Sequence, residues 1–176
     1  MLALSNLLIF VGLLNNIEIL EKHDRCYYAK TGKGYMDSKE IALDYISSFI
    51  GVPYKWGGDD FDSMDCSGIV NEYLKCLGII VEQQDFRALE IWKLLKDRRV
   101  NFPERGNLVF YWKTTFENIT HVEILLNNEL SIGAMGGGPS IINREKAMEK
   151  NAFVKVRKFI NKVNIAGYVN PFLKVD

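Results

Sequence analysis

Apolar residues recur at helical spacing three times between residues 37 and 97, then change after residue 107 to short alternating or unbroken runs. In the first helix, Ile41, Ala42, Tyr45, Ile46, Phe49 and Ile50 share one face. Asp37 is placed to cap it, with Glu40 three residues on as a variant capping box, and Gly51 and Pro53 end it. A second helix is predicted to begin near Cys66. Ile69, Val70, Tyr73, Leu74 and Leu77 form its buried stripe, Gly78 is a C-terminal cap, and Cys76 reads as a small core residue. The third is predicted from about Gln84 to Asp97, with Phe86, Leu89, Trp92 and Leu95 turned inward.

Strands are predicted next, at Leu108 to Trp112, His121 to Leu126 and Leu130 to Met135, with Asn127-Asn128 as a turn. Two shorter ones are expected at Phe153 to Phe159 and Ile165 to Val169. Along the second strand, Val122, Ile124 and Leu126 point to the core, while His121, Glu123 and Leu125 share the other face. Helices first and an antiparallel meander afterwards predict an α+β domain.

The loose stretch Thr31-Gly32-Lys33-Gly34 divides an apolar N-terminal extension and loop, residues 1–34, from a single domain over 35–176. The apolar run Leu7 to Leu14 is too short to span a bilayer, and the first basic residue is Lys22, late for a signal peptide. A non-standard export signal, a weak anchor and a packed element all remain open for it.

Composition narrows the function. Lysine plus arginine and aspartate plus glutamate number 22 each, so the formal net charge is zero and no basic stripe suggests nucleic-acid binding. Three cysteines are too few for a disulfide framework, and their odd number leaves at least one thiol free unless it pairs between chains. Without CxxC spacing, and with only two histidines, the sequence offers no metal site, and no cofactor is expected.

Cys66 lies where the second helix starts, in Asp65-Cys66-Ser67-Gly68. A helix N-terminus presents unpaired N–H groups and the positive end of the macrodipole, which favour a thiolate, the nucleophilic form. Gly68 removes bulk one turn away, so that a substrate backbone can come close. A buried structural cysteine is the competing view. A cysteine nucleophile needs a base, nearly always histidine. His23 sits in a charged, surface-like run, whereas His121 opens a strand.

Tyr54-Lys55-Trp56-Gly57-Gly58, followed by Asp65-Cys66-Ser67-Gly68 with the cysteine ten residues past the tryptophan, resembles the YxWGG…DCSG signature of NlpC-type cell-wall cysteine peptidases. Gly106-Asn107-Leu108-Val109-Phe110-Tyr111 is similar to that family's GDLVFF strand, and His121-Val122 opens the next one. These motifs cover roughly residues 38 to 135, in the family's order, and Gly136-Gly137-Gly138 resembles the versions carried by phages and prophages. The resemblance implies a papain-like NlpC fold with Cys66 as nucleophile and His121 as base. It also implies an oxyanion site from the Cys66 N–H and the Tyr54 hydroxyl, with Trp56, Asp65 and Ser67 beside it. The implied substrate is the bond between D-γ-glutamyl and a diamino acid in peptidoglycan stem peptides. The setting would be the cell wall or a virion rather than the cytoplasm, with a phage-tail or wall-assembly partner possible. A non-catalytic structural protein, or a related amidase or acyltransferase, would fit the same scaffold.

Family members carry a polar third residue twelve positions after the histidine, and that position is Gly133. The third role is therefore missing or moved. Glu123, two residues along the strand and on the same face, is the candidate, with a solvated surface glutamate as the alternative. Asn107 and Met64 also depart from the pattern, changes that could alter the cleft rim but remove neither the nucleophile nor the base.

Overall fold

The computed structural model describes residues 38–115, 118–159 and 162–174. The 1–34 extension, His23 and the Asp37 cap lie outside them. The first helix, α1, runs Ser38–Ser47 and buries Ile41, Ala42, Leu43, Tyr45 and Ile46. The chain then tightens into i→i+3 bonds from Ser48, Phe49 and Ile50. That turn keeps Phe49 buried but swings Ile50 out to 53 % exposure, against the expectation of a continuous apolar face.

Helix α2 is Cys66–Cys76, with Ile69, Val70, Tyr73 and Leu74 inside it as predicted. It ends two residues before Gly78, whose positive φ of 71° and bond to the Lys75 carbonyl close the helix. Helix α3 covers only Ala88–Leu94, shorter than the predicted 84–97, with a separate 3-10 turn at Lys96–Arg98. The late start has a cause far away in sequence. The buried Asn71 amide on α2 donates to Asp85 and to the Phe86 carbonyl, and its oxygen accepts from the Phe86 N–H. These bonds hold residues 85–86 out of the helix, and Glu90 then reaches back to the Arg87 N–H.

The strands are β1 Arg99–Val100, β2 Leu108–Trp112, β3 Ile119–Leu125, β4 Leu130–Met135, β5 Phe153–Lys158 and β6 Ile165–Val169. β1 and the short helix α4, Arg144–Glu149, were not predicted. α4 is started by the Asn143 side chain accepting from the Lys146 N–H. All pairings are antiparallel, in the order β1-β6-β2-β3-β4-β5, so β2 to β5 form the expected meander and β6 returns beside β2. The architecture is α+β.

One face of the sheet joins the helices in the main core, through Leu108, Phe110, Val122, Ile124 and Ile132. The other face is closed by a smaller cluster of Val109, Tyr111, Leu125 and Phe159, with Ile165 and Tyr168 against it. β3 slips by one residue against β2 between the pairs Trp112–Ile119 and Tyr111–His121. Such an irregularity re-aims the side chains next to it, and here those are Thr120 and His121.

Candidate active site

Asp65 is the N-cap of α2. Its Oδ1 accepts from the Ser67 N–H, the Ser67 hydroxyl and the Gly68 N–H, at 2.8–2.9 Å. Its Oδ2 accepts from the Gly57 N–H at 2.9 Å, so one carboxylate ties the Trp56-Gly57-Gly58 loop to the helix start. Gly68 acts in that same junction. A Cβ there would lie 2.3 Å from the Gly58 carbonyl oxygen. The missing side chain thus admits the protein's own loop, rather than a substrate backbone as the sequence suggested. Cys66 sits at this junction as the free cysteine among the described residues, only 8 % exposed.

Two cavities meet at Cys66. One, of about 480 Å³, is lined by Tyr54, Trp56, Cys66, Lys113, His121 and Arg157 among others. The second, of about 460 Å³, is lined by Trp56, Asp65, Cys66, Ser67, Asp85 and Arg87 among others. Trp56, Cys66 and Thr120 belong to both, so the thiol lies between a part of the cleft lined by Lys113 and Arg157 and a part lined by Asp65, Asp85 and Arg87. Trp56 is 53 % exposed there, as a wall of the cleft. Met64 is fully buried, and Asn107 lines a separate cavity of about 200 Å³ with Lys39 and Phe172, so neither forms the cleft rim.

Tyr54 is buried in the cleft wall, with Gly137 packed flat on its ring, where a Cβ would come within 2.1 Å. Burial, followed by the negative charge of a Cys66 thiolate and of Asp65, holds its hydroxyl well above the ordinary phenol range. The group therefore stays an O–H donor beside the thiol.

His121 shares the first cavity with Cys66, and no hydrogen bond joins the two among the described residues. Catalytic contacts in ligand-free sites are often long and tighten only around substrate. On its other side the imidazole is firmly held, with Nε2 2.7 Å from Oε1 of Glu123. Glu123 is not a solvated surface residue, because it is 0 % exposed. Its Oε2 accepts from the Tyr111 hydroxyl at 3.0 Å and the Ser131 hydroxyl at 2.6 Å, and Arg157 Nη2 donates to Oε1. A carboxylate has only acceptors to offer, so Nε2 carries the ring proton and Nδ1 is left as the acceptor.

Gly133 explains how the carboxylate fits. β4 sets Ile132 opposite Ile124 and Ser131 opposite Leu125, which brings Gly133 across from Glu123. A Cβ at Gly133 would meet Glu123 Cγ at 3.0 Å. The space that a third residue's side chain would need is occupied by the glutamate. Arg157 went unnoticed in the sequence, where it sits in an unremarkable basic stretch of β5. Only the pairing of Ser131 with Arg157 across β4 and β5 brings it to the cluster. Among the described residues, no group of three or more histidine, cysteine, aspartate or glutamate side chains is placed to hold a metal ion.

A cysteine at a helix start, with a histidine on the neighbouring antiparallel sheet, defines a papain-like α+β domain. Within that class the chain belongs to the NlpC/P60 family, whose model matches residues 51–158. It is 27 % identical over 103 residues to dipeptidyl-peptidase 6 of Lysinibacillus sphaericus, covering 58 % of this chain and 35 % of the relative, and so spans about a third of that protein's length. Its fold is similar to an NlpC/P60 protein of Bacillus cereus, with TM-score 0.58 at 17 % identity over 77 % of this chain and 40 % of the other. The peptidoglycan hydrolase RipB of Mycobacterium tuberculosis gives TM-score 0.58 at 20 % identity, over 78 % of this chain and 66 % of the other. RipD of the same organism, a non-catalytic domain adapted to peptidoglycan binding, gives 0.54 at 15 %, over 79 % and 100 %. The family includes peptidoglycan hydrolases, and its domains act on or bind peptidoglycan. No described helix is long and apolar enough to cross a membrane.

Proposed function

We propose that the chain is a cysteine endopeptidase of peptidoglycan stem peptides, cutting between D-γ-glutamyl and a diamino acid, outside the cytoplasm or from a virion. The observation that carries the reading is the shared cleft of Cys66 and His121, with the imidazole braced from behind by buried Glu123. In this reading the Cys66 sulfur, as thiolate, attacks the peptide carbonyl carbon. The oxyanion is met by the Cys66 N–H and the Tyr54 hydroxyl. His121 holds the thiol proton and passes it to the departing amine, and water then releases the acyl group. Trp56 walls the cleft, while Asp65 and Ser67 hold the helix start.

A structural protein of a phage tail or cell-wall assembly is the reading that an empty third position would favour. Glu123 in the space beside Gly133 supports the catalytic reading over it. The test is digestion of purified muropeptides, read by product mass, with Cys66→Ala alongside. We expect cleavage by the wild type and a fall of at least about 10³-fold in the variant. No cleavage, together with a Cys66 that iodoacetamide modifies no faster at neutral pH than a free cysteine, would leave a binding domain instead.

A further inference from the structure

We propose that Arg157 is a positioning residue for His121: by neutralising Glu123, it lets the carboxylate orient the imidazole without drawing a second proton onto it. The inference rests on His121 being the base, and it assigns to Arg157 a part that the family motifs do not contain.

Glu123 is wholly buried, and an ionised carboxylate removed from water needs a compensating charge in contact. Its partners are the hydroxyls of Tyr111 and Ser131, which are neutral, the His121 ring, and the Arg157 guanidinium. Arg157 supplies the permanent cation. Without it, the group in contact that can become positive is the imidazole. Glu123 would then hold His121 as imidazolium, and a base locked in its protonated form cannot take up the thiol proton.

Arg157 also acts on the ring directly. Its Nη2 lies 3.5 Å from Nε2 of His121, close enough for a guanidinium to oppose a second positive charge there. Glu123 pulls a proton toward the ring and Arg157 pushes it away, so the hydrogen bond keeps its direction while the charge is balanced. The guanidinium is fixed by Glu123 and by the Tyr111 ring, whose centroid lies 5.8 Å from its central carbon. At 29 % exposure it is partly covered.

Other ionisable groups around the ring are accounted for. Tyr111 of β2 packs against it with centroids 5.4 Å apart, and Cys66, Tyr54 and exposed Lys113 share its cavity. Lys162 lies near enough to Arg157 for its ammonium to be pushed below the ordinary range by that charge. Among the described residues, no ion pair joins Lys113 or Lys162 to Glu123, so neither replaces Arg157.

The charge state of His121 can be read without substrate. The chain has two histidines, so in a His23→Gln background ring-nitrogen NMR of the full chain reports His121 alone. Wherever the wild-type ring is neutral, its single proton should sit on Nε2, facing Glu123. In Arg157→Met, the pH at which the imidazolium signal disappears should rise by about one unit or more. Arg157→Lys, which restores the charge without the fork, should return most of that shift. If Arg157→Met does not fold, Arg157→Gln removes the same charge while keeping a polar group. A midpoint unchanged in the neutral variant, with native amide signals, overturns the proposal. So does a midpoint that moves equally in Arg157→Lys, since that would make the effect one of shape. A moved and rescued midpoint in a protein that cuts no muropeptide would sustain the role of Arg157 and sink the peptidase reading alone.

Discussion

Along residues 122–125 of strand β3 both faces are closed to water, by different means. Toward the helices, Val122 and Ile124 are buried in a continuous apolar core. On the opposite face, Glu123 is equally buried, yet it is surrounded by hydroxyls, an imidazole and a guanidinium before the apolar Leu125 cluster takes over. The first kind of burial is non-directional and contributes roughly 1.5–3 kcal/mol per large side chain. The second contributes little net stability, because desolvation offsets most of the attraction. What it provides is direction, since each bond fixes an angle. Neighbouring residues of one strand therefore carry separate duties: Val122 and Ile124 hold the domain together, and Glu123 between them holds an imidazole still.

The sharpest way to break that division is at neighbouring positions. Ile124→Ala should lower unfolding free energy by about 2–5 kcal/mol in urea melts, with turnover per folded molecule nearly unchanged. Glu123→Gln should cut kcat on muropeptides by at least about tenfold per folded molecule, beyond the stability lost by leaving Arg157 unpaired. If Glu123→Gln leaves turnover intact, the imidazole is oriented by something else, and the polar face is only packing. A large loss of turnover in folded Ile124→Ala would mean that the two faces are not separable.

Gly133→Ala tests the same face from the partner strand. The added methyl would press on Glu123 Cγ at 3.0 Å, so the carboxylate must shift by a few tenths of an ångström. A drop in kcat of about threefold to tenfold is expected, because the imidazole moves with its brace. Turnover at or above the wild-type level would show that the glycine is not reserved for the glutamate.

This division also explains what the sequence could and could not disclose. Periodicity is a local property, so α2, β2, β4 and β6 were legible from the spacing of apolar residues, as was the cysteine at the start of α2. The alternation along β3 was legible too, but alternation says only that Glu123 and Val122 point to opposite sides. It does not say that the second side is covered. That depends on Arg157, 34 positions away, arriving through the pairing of β4 with β5. The late start of α3 has the same origin, in Asn71 bonds that reach 14 and 15 residues ahead. In both places a polar side chain with a distant partner outweighed a local pattern.

A smaller effect on stability than that of Ile124→Ala comes from Tyr111, and its sign is set by burial. Desolvation pushes its hydroxyl up to about 12, with Arg157 pulling the other way. An unfolded tyrosine ionises near pH 10, so above that pH the unfolded chain loses a proton that the folded protein retains. The contribution of Tyr111 is therefore fully present below about pH 10 and is lost as pH climbs toward about 12. At neutral pH, Tyr111→Phe should cost about 1.5–3 kcal/mol, for the bond to the Glu123 carboxylate. Measured by urea unfolding at matched pH, the gap between wild type and variant should narrow between those two values, because phenylalanine has no proton to lose. Other alkaline effects act on both proteins and cancel in the difference. A gap that stays constant through that window would mean that water reaches the Tyr111 hydroxyl, and that the polar face of β3 is less closed than its helix-facing side.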